Sequence, residues 1–108
     1  MATYVVSEID YWGGAPRIKF SYVGQDRMEA INEFDECFKR SCWNPDKNEW
    51  FMIPQKVVKE VGEDPSYETV LKYLIREMDD DGNVEIDSDW DDGEGDYPLY
   101  LRFIKVDE

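Results

Sequence analysis

The chain has 108 residues, enough for one domain with a modest core and too short for two. Its net charge is −14, from 26 acids against 12 bases with no histidine, which excludes direct binding to DNA, RNA or an anionic membrane through a broad basic surface. Aromatic residues make up 15% of the chain, far above what a disordered segment carries, so a folded core is expected.

In chain order, "TYVVSEIDYW" (3–12) is β-branched and aromatic and reads as a strand, and "GGAP" (13–16) is turn chemistry. "RIKFSYV" (17–23) alternates, which predicts Ile18, Phe20 and Tyr22 on one face and Arg17, Lys19 and Ser21 on the other, closing a hairpin. "QDRMEAINEFDECFKRSCW" (25–43) repeats apolar residues at helical spacing: Met28, Ile31, Phe34, Cys37, Phe38 and Cys42. Asp26, followed three residues later by Glu29, has the pattern of a capping box.

"NPDKNE" (44–49) ends that helix, and "WFMI" (50–53) reads as a short third strand or an apolar anchor on a loop. "PQKVVKEVG" (54–62) opens on Pro54 and closes on Gly62, the signature of a short helix. "DPSYETVLKYLIREM" (64–78) is a longer one, with Asp64 as expected N-cap and Pro65 at the first helical position. Its apolar stripe is Tyr67, Val70, Leu71, Leu74, Ile75 and Met78.

"NVEIDSDW" (83–90) alternates strictly, with Val84, Ile86, Ser88 and Trp90 inward and Glu85, Asp87 and Asp89 outward. "DDGEGD" (91–96) is a turn and "YPLYLRFIKV" (97–106) the closing strand. The order β-β-α-(β)-α-α-β-β predicts an α+β fold, with an antiparallel sheet of four to five strands and helices packed on one face. The whole chain, 1–108, is a single domain whose acidic C-terminal hairpin region covers about 77–108, and the outer face of the sheet is expected to carry the acids.

The charge is segregated. Residues 77–108 hold 13 of the 26 acids and only 2 of the 12 bases, and no base falls between Glu77 and Asp96. Such a block repels itself and opposes compaction, so it is either a solvated face that keeps the protein soluble or a working surface. Acids at the exit of the helix, Glu77 and Asp79–Asp81, also oppose the negative end of the helix dipole. A function that needs a negative field explains both costs.

The expected partner-binding set is Asp79, Asp80, Asp81, Glu85, Asp87, Asp89, Trp90, Asp91, Asp92, Glu94, Asp96 and Tyr97. Alternate residues of a strand stand about 6.7 Å apart. Duplex DNA shows a charge every ~3.4 Å per strand, so a carboxylate row with a flanking cluster approaches that density. The partner with most to gain is a basic nucleic-acid-binding protein, such as a nuclease, restriction or CRISPR effector. In size and charge alone, the chain resembles the small acidic inhibitors that viruses and mobile elements direct against such proteins, including antirestriction and anti-CRISPR proteins. An immunity protein against a cognate toxin nuclease makes the same electrostatic demand.

Other chemistries fit less well. Aligning Gly82 with the glycine of a calcium loop leaves Ser88 at the closing ligand position, where a bidentate Glu is wanted. A calcium-responsive or purely structural domain therefore stands only as an alternative. With no histidine and no phosphate-binding glycine motif, no catalytic residue, cofactor or metal site is assigned, and the chain is expected not to be an enzyme. Cys37 and Cys42, five apart on a helix, point about 140° away from each other, so free thiols in a cytoplasmic, reduced protein are expected. Trp43 and Trp50 are expected in the core, with Trp12 and Trp90 open to either role.

Overall fold

A computed structural model describes residues 2–10, 17–50, 53, 55–62, 64–88 and 99–107. Strands β1 (Ala2–Asp10), β2 (Arg17–Gly24), β5 (Asn83–Ser88) and β6 (Leu99–Asp107) form one antiparallel sheet in the order β2-β1-β6-β5. The two terminal strands lie side by side at its centre, Val6 opposite Phe103. Helices α1 (Arg27–Cys42) and α3 (Tyr67–Asp81) pack on one face, and the short α2 (Gln55–Val61) packs on α3. The fold class is the expected α+β, with four strands in the main sheet. Residues Trp43–Asn44 (β3) and Glu49–Trp50 (β4) form a separate two-stranded hairpin in place of a fifth strand; Phe51 and Met52 lie outside the described residues.

The core lies between helices and sheet. Ile31, Phe34, Phe38 and Cys42 from α1 and Val70, Leu74 and Met78 from α3 meet Val6, Val84, Ile86, Leu101 and Phe103 from the strands. The α1 stripe read from the sequence is therefore the buried one, except Met28, which is 56% exposed because it sits on the outward side of the first turn of α1; of the α3 stripe, Val70, Leu74 and Met78 are buried while Tyr67, Leu71 and Ile75 are half-buried at its edges.

Helix ends follow local chemistry. Asp26 caps α1, its Oδ1 accepting from the backbone N–H of Met28 at 3.0 Å and Glu29 at 3.2 Å. The reciprocal half of a capping box is supplied from elsewhere: the N–H of Asp26 donates to the Tyr22 hydroxyl at 3.0 Å. The cap of α3 is Ser66, not Asp64. The Ser66 hydroxyl accepts from Thr69 N–H at 3.2 Å, and Pro65 lies before the helix instead of in its first turn.

Gly82 ends α3 in the left-handed region at φ 69°, where its N–H reaches Met78 O at 3.0 Å and its carbonyl accepts from Lys105 N–H at 2.7 Å. An added Cβ would meet only ordinary contact, 3.6 Å from Lys105 Cβ, so strain alone opposes it. Gly82→Ala is expected to lower stability by about 1 kcal/mol in urea denaturation. An unchanged midpoint would show that α3 does not turn into β5 through this conformation.

One expectation about the sheet is overturned. Tyr22 pairs with Val6 but Phe20 pairs with Ser7, leaving Ser21 as an extra residue in β2. This bulge shifts the alternation by one. Tyr22 stays on the helix side, packed against the core, while Ile18 (65% exposed) and Phe20 (63% exposed) turn to the outer face. Ser21 is held toward the helix, its hydroxyl 3.5 Å from Cys37 Sγ. Among the described residues no helix is long and apolar enough to cross a membrane.

Candidate interaction surface

Among the described residues, helices cover one face of the sheet and no element covers the other, and pairing register decides which residues occupy that open face. Val5 lies opposite Val23 and Ile104, Ile9 opposite Ile18, Ser7 opposite Phe20, and Thr3 opposite Val106. These residues are out of phase with buried Val6 and Phe103, so they face away from the helices. Strands β2, β1 and β6 thus present Val5, Ile9, Ile18, Phe20, Val23, Ile104 and Val106 on the open face. The expectation that this face carries the acids holds only along β5, where Glu85 stands opposite Arg102. Alternation groups Ile18 and Phe20 with Tyr22 on one face, whereas the bulge at Ser21 puts them on the face opposite Tyr22.

Of the expected partner-binding residues, four have described side chains. Asp79, Asp80 and Asp81 occupy the last turn of α3, and Gly82 joins them directly to β5, so the flanking cluster does adjoin the strand that bears Glu85. All four are exposed. Asp87 lies in β5 opposite Tyr100, which fixes its place on the strand. Asp89, Trp90, Asp91, Asp92, Glu94, Asp96 and Tyr97 lie outside the described residues.

Two of the four carboxylates are engaged within the protein. Arg27, at the start of α1, reaches across to Asp79 with a forked contact, Nε to Oδ1 at 3.0 Å and Nη2 to the two oxygens at 2.7 and 2.8 Å. A cation placed there offsets the acids at the negative end of the α3 dipole. Glu85 accepts from the Tyr100 hydroxyl at 3.0 Å and pairs with Arg102 at 3.3 Å. Among the described residues no base pairs with Asp80 or Asp81, leaving these two to face solvent. Glu77, Asp79 and Asp81 belong to a continuous helix instead of a loop, so alternate members project in opposed directions and do not form the ligand arc of a calcium loop.

The two cysteines are free and buried. Burial pushes the Cys42 thiol up to about 12 and raises Cys37, so neither is an activated nucleophile at neutral pH. The fold disfavours the Cys42 thiolate, so its contribution to stability is complete below pH 9 and declines as pH rises toward 12. At pH 10 the loss is on the order of 1 kcal/mol. Urea denaturation at pH 8 and pH 10 should show a smaller drop for Cys42→Val than for the parent; equal drops would remove the assignment.

Trp43 and Trp50 are half-buried instead of enclosed. They pair across β3 and β4 with their rings 4.9 Å apart, edge to face, against Tyr67 of α3. No family model matches the chain, and comparisons with curated proteins and with solved structures found no match.

Proposed function

We propose that the protein is a non-enzymatic inhibitor that occupies the basic nucleic-acid-binding groove of another protein. The observation that carries this reading is the segregation of charge: half of all acids and one-sixth of all bases lie in residues 77–108. Asp80 and Asp81, at the exit of α3 into β5, supply a negative field that draws a cationic groove toward them, and the acids that follow β5 in the sequence add to the net charge. The open face of β6, β1 and β2, running from beside β5 to the opposite edge of the sheet, supplies apolar contact, which charge by itself does not provide. Arg27 and Arg102 reduce the field without reversing it, since each meets one carboxylate among many.

Competition measures this directly. Labelled duplex DNA is bound in turn to a restriction endonuclease, a guide-loaded CRISPR effector and a toxin nuclease domain, and the protein is added at low and high salt. Displacement from at least one of them, weakened by salt, is expected. The variant carrying Asn at Asp87, Asp89, Asp91 and Asp92 should compete at least tenfold less well, consistent with lost steering. Its thermal midpoint should be unchanged or higher, because self-repulsion is relieved. A variant that competes as well as the parent would end the proposal.

A further inference from the structure

At the far end of α3 from Asp79–Asp81, about 20 Å along the helix, lies a second feature independent of the acidic segment. The rings of Trp43, Trp50 and Tyr67 meet at the β3–β4 hairpin, with Tyr67 5.6 Å from Trp43 and 5.7 Å from Trp50. Phe38 forms the floor beneath them, 5.9 Å from Trp50 and 6.0 Å from Tyr67. The Trp50 indole N–H donates to the Pro65 carbonyl at 2.8 Å, which fastens the hairpin to the start of α3. Asn48, at φ 52°, makes the tight turn that brings the two tryptophans back to one another.

These three rings line a cleft of about 470 Å³, within the range of small-molecule sites, whose rim carries the exposed carboxylates Glu49, Asp64 and Glu68. Among the described residues one base reaches it: the Lys39 ammonium lies 4.9 Å from the centre of the Tyr67 ring. The chain's own cation therefore already takes the position that ring faces favour. The Tyr67 hydroxyl donates to the Asp35 carboxylate, and burial with that carboxylate holds the phenol protonated far above neutral pH. Donation to an anion leaves the ring richer in electron density and a better seat for a cation.

We propose that this cleft binds a quaternary or methylated ammonium group, which displaces Lys39 from Tyr67 and rests against the tryptophan rings. Three carboxylates against one lysine select a cation over an anion. Apolar ring faces select a weakly hydrated methylated ammonium over a primary one, since less hydration is lost on entering. Such a group is carried by free choline-like molecules and by trimethylated lysine on a partner protein.

Tryptophan fluorescence and calorimetry with the intact protein test this, using choline, a trimethyllysine peptide, and 3,3-dimethylbutanol, the uncharged analogue of choline. Choline or the peptide should quench saturably at millimolar concentration or below, with the alcohol at least tenfold weaker. Tighter choline than peptide marks a free ligand; the reverse marks a protein-borne one, and either supports the site. Lys39→Met should tighten binding several-fold by removing the internal competitor, and Glu49→Gln, at an exposed position, should weaken it without unfolding the hairpin. No saturation by either cation, equal affinity for the uncharged analogue, or weaker binding in Lys39→Met would each overturn the proposal.

Discussion

Replacing Phe34 by alanine is expected to lower the free energy of unfolding by about 3–5 kcal/mol. A domain of this size has roughly 5–15 kcal/mol in all, so the variant loses a large share of its stability. The reason lies in where the side chain sits. Phe34 is fully buried, stacks on Phe38 one turn along α1 with centroids 6.3 Å apart, and meets Phe103 edge-on at 6.4 Å and 88°. Phe103 pairs with Val6 on one side and Val84 on the other, so this one ring joins the helix layer to three strands. Removing it leaves a cavity that helices crossing a sheet cannot readily close. Urea denaturation measures the effect, with the m-value as a check that the unfolded state is unchanged. Met28→Ala on the same helix is the control and should stay within about 0.5 kcal/mol. If the two variants lose similar amounts, α1 does not present the face described here.

That face was readable from the sequence because a helix stripe is a local property. Ile31, Phe34 and Phe38, like Val70, Leu74 and Met78, recur at the period that puts them on one side, whatever lies opposite. Val84 and Ile86 were readable for the same reason with a period of two. Gly62 marks a helix end because glycine takes a φ of 99° without strain; Gly82 ends α3 in the left-handed region at 69°, although in the sequence it is aligned only with the glycine of a calcium loop.

What escaped is what depends on distant residues. "RIKFSYV" has the same alternation whether or not Ser21 is an extra residue; the partners that fix the bulge, Ser7 of β1 and Cys37 of α1, are 14 and 16 positions away. The choice of Ser66 over Asp64 as cap turns on two-residue differences that propensity does not resolve. Arg27 meets Asp79 across 52 positions, so the partial neutralisation of the helix exit has no local signal. The same holds for the cleft. Trp43, Trp50 and Tyr67 look like separate core anchors until the hairpin folds them together.

The open sheet face yields the second large effect, and it falls on binding instead of stability. Ile18→Thr with Phe20→Thr is expected to leave the fold within about 1 kcal/mol of the parent, since both side chains are mostly exposed and threonine keeps the strand preference. Under the proposed function, affinity for the basic partner should fall a hundredfold or more, because truncating each of two large apolar side chains at the centre of an interface costs about 2 kcal/mol. The kinetic signature separates this from loss of charge. Neutralising carboxylates slows association and flattens the salt dependence, whereas trimming Ile18 and Phe20 should speed dissociation and leave the salt dependence intact. In a chain of net charge −14 an apolar face turned to water calls for a reason, and contiguous patches of this kind mark contact surfaces. Surface plasmon resonance of both variants reads the two rate constants. Unchanged dissociation in the threonine pair would confine the partner to the acidic end and leave the β2 bulge as a feature of the fold alone.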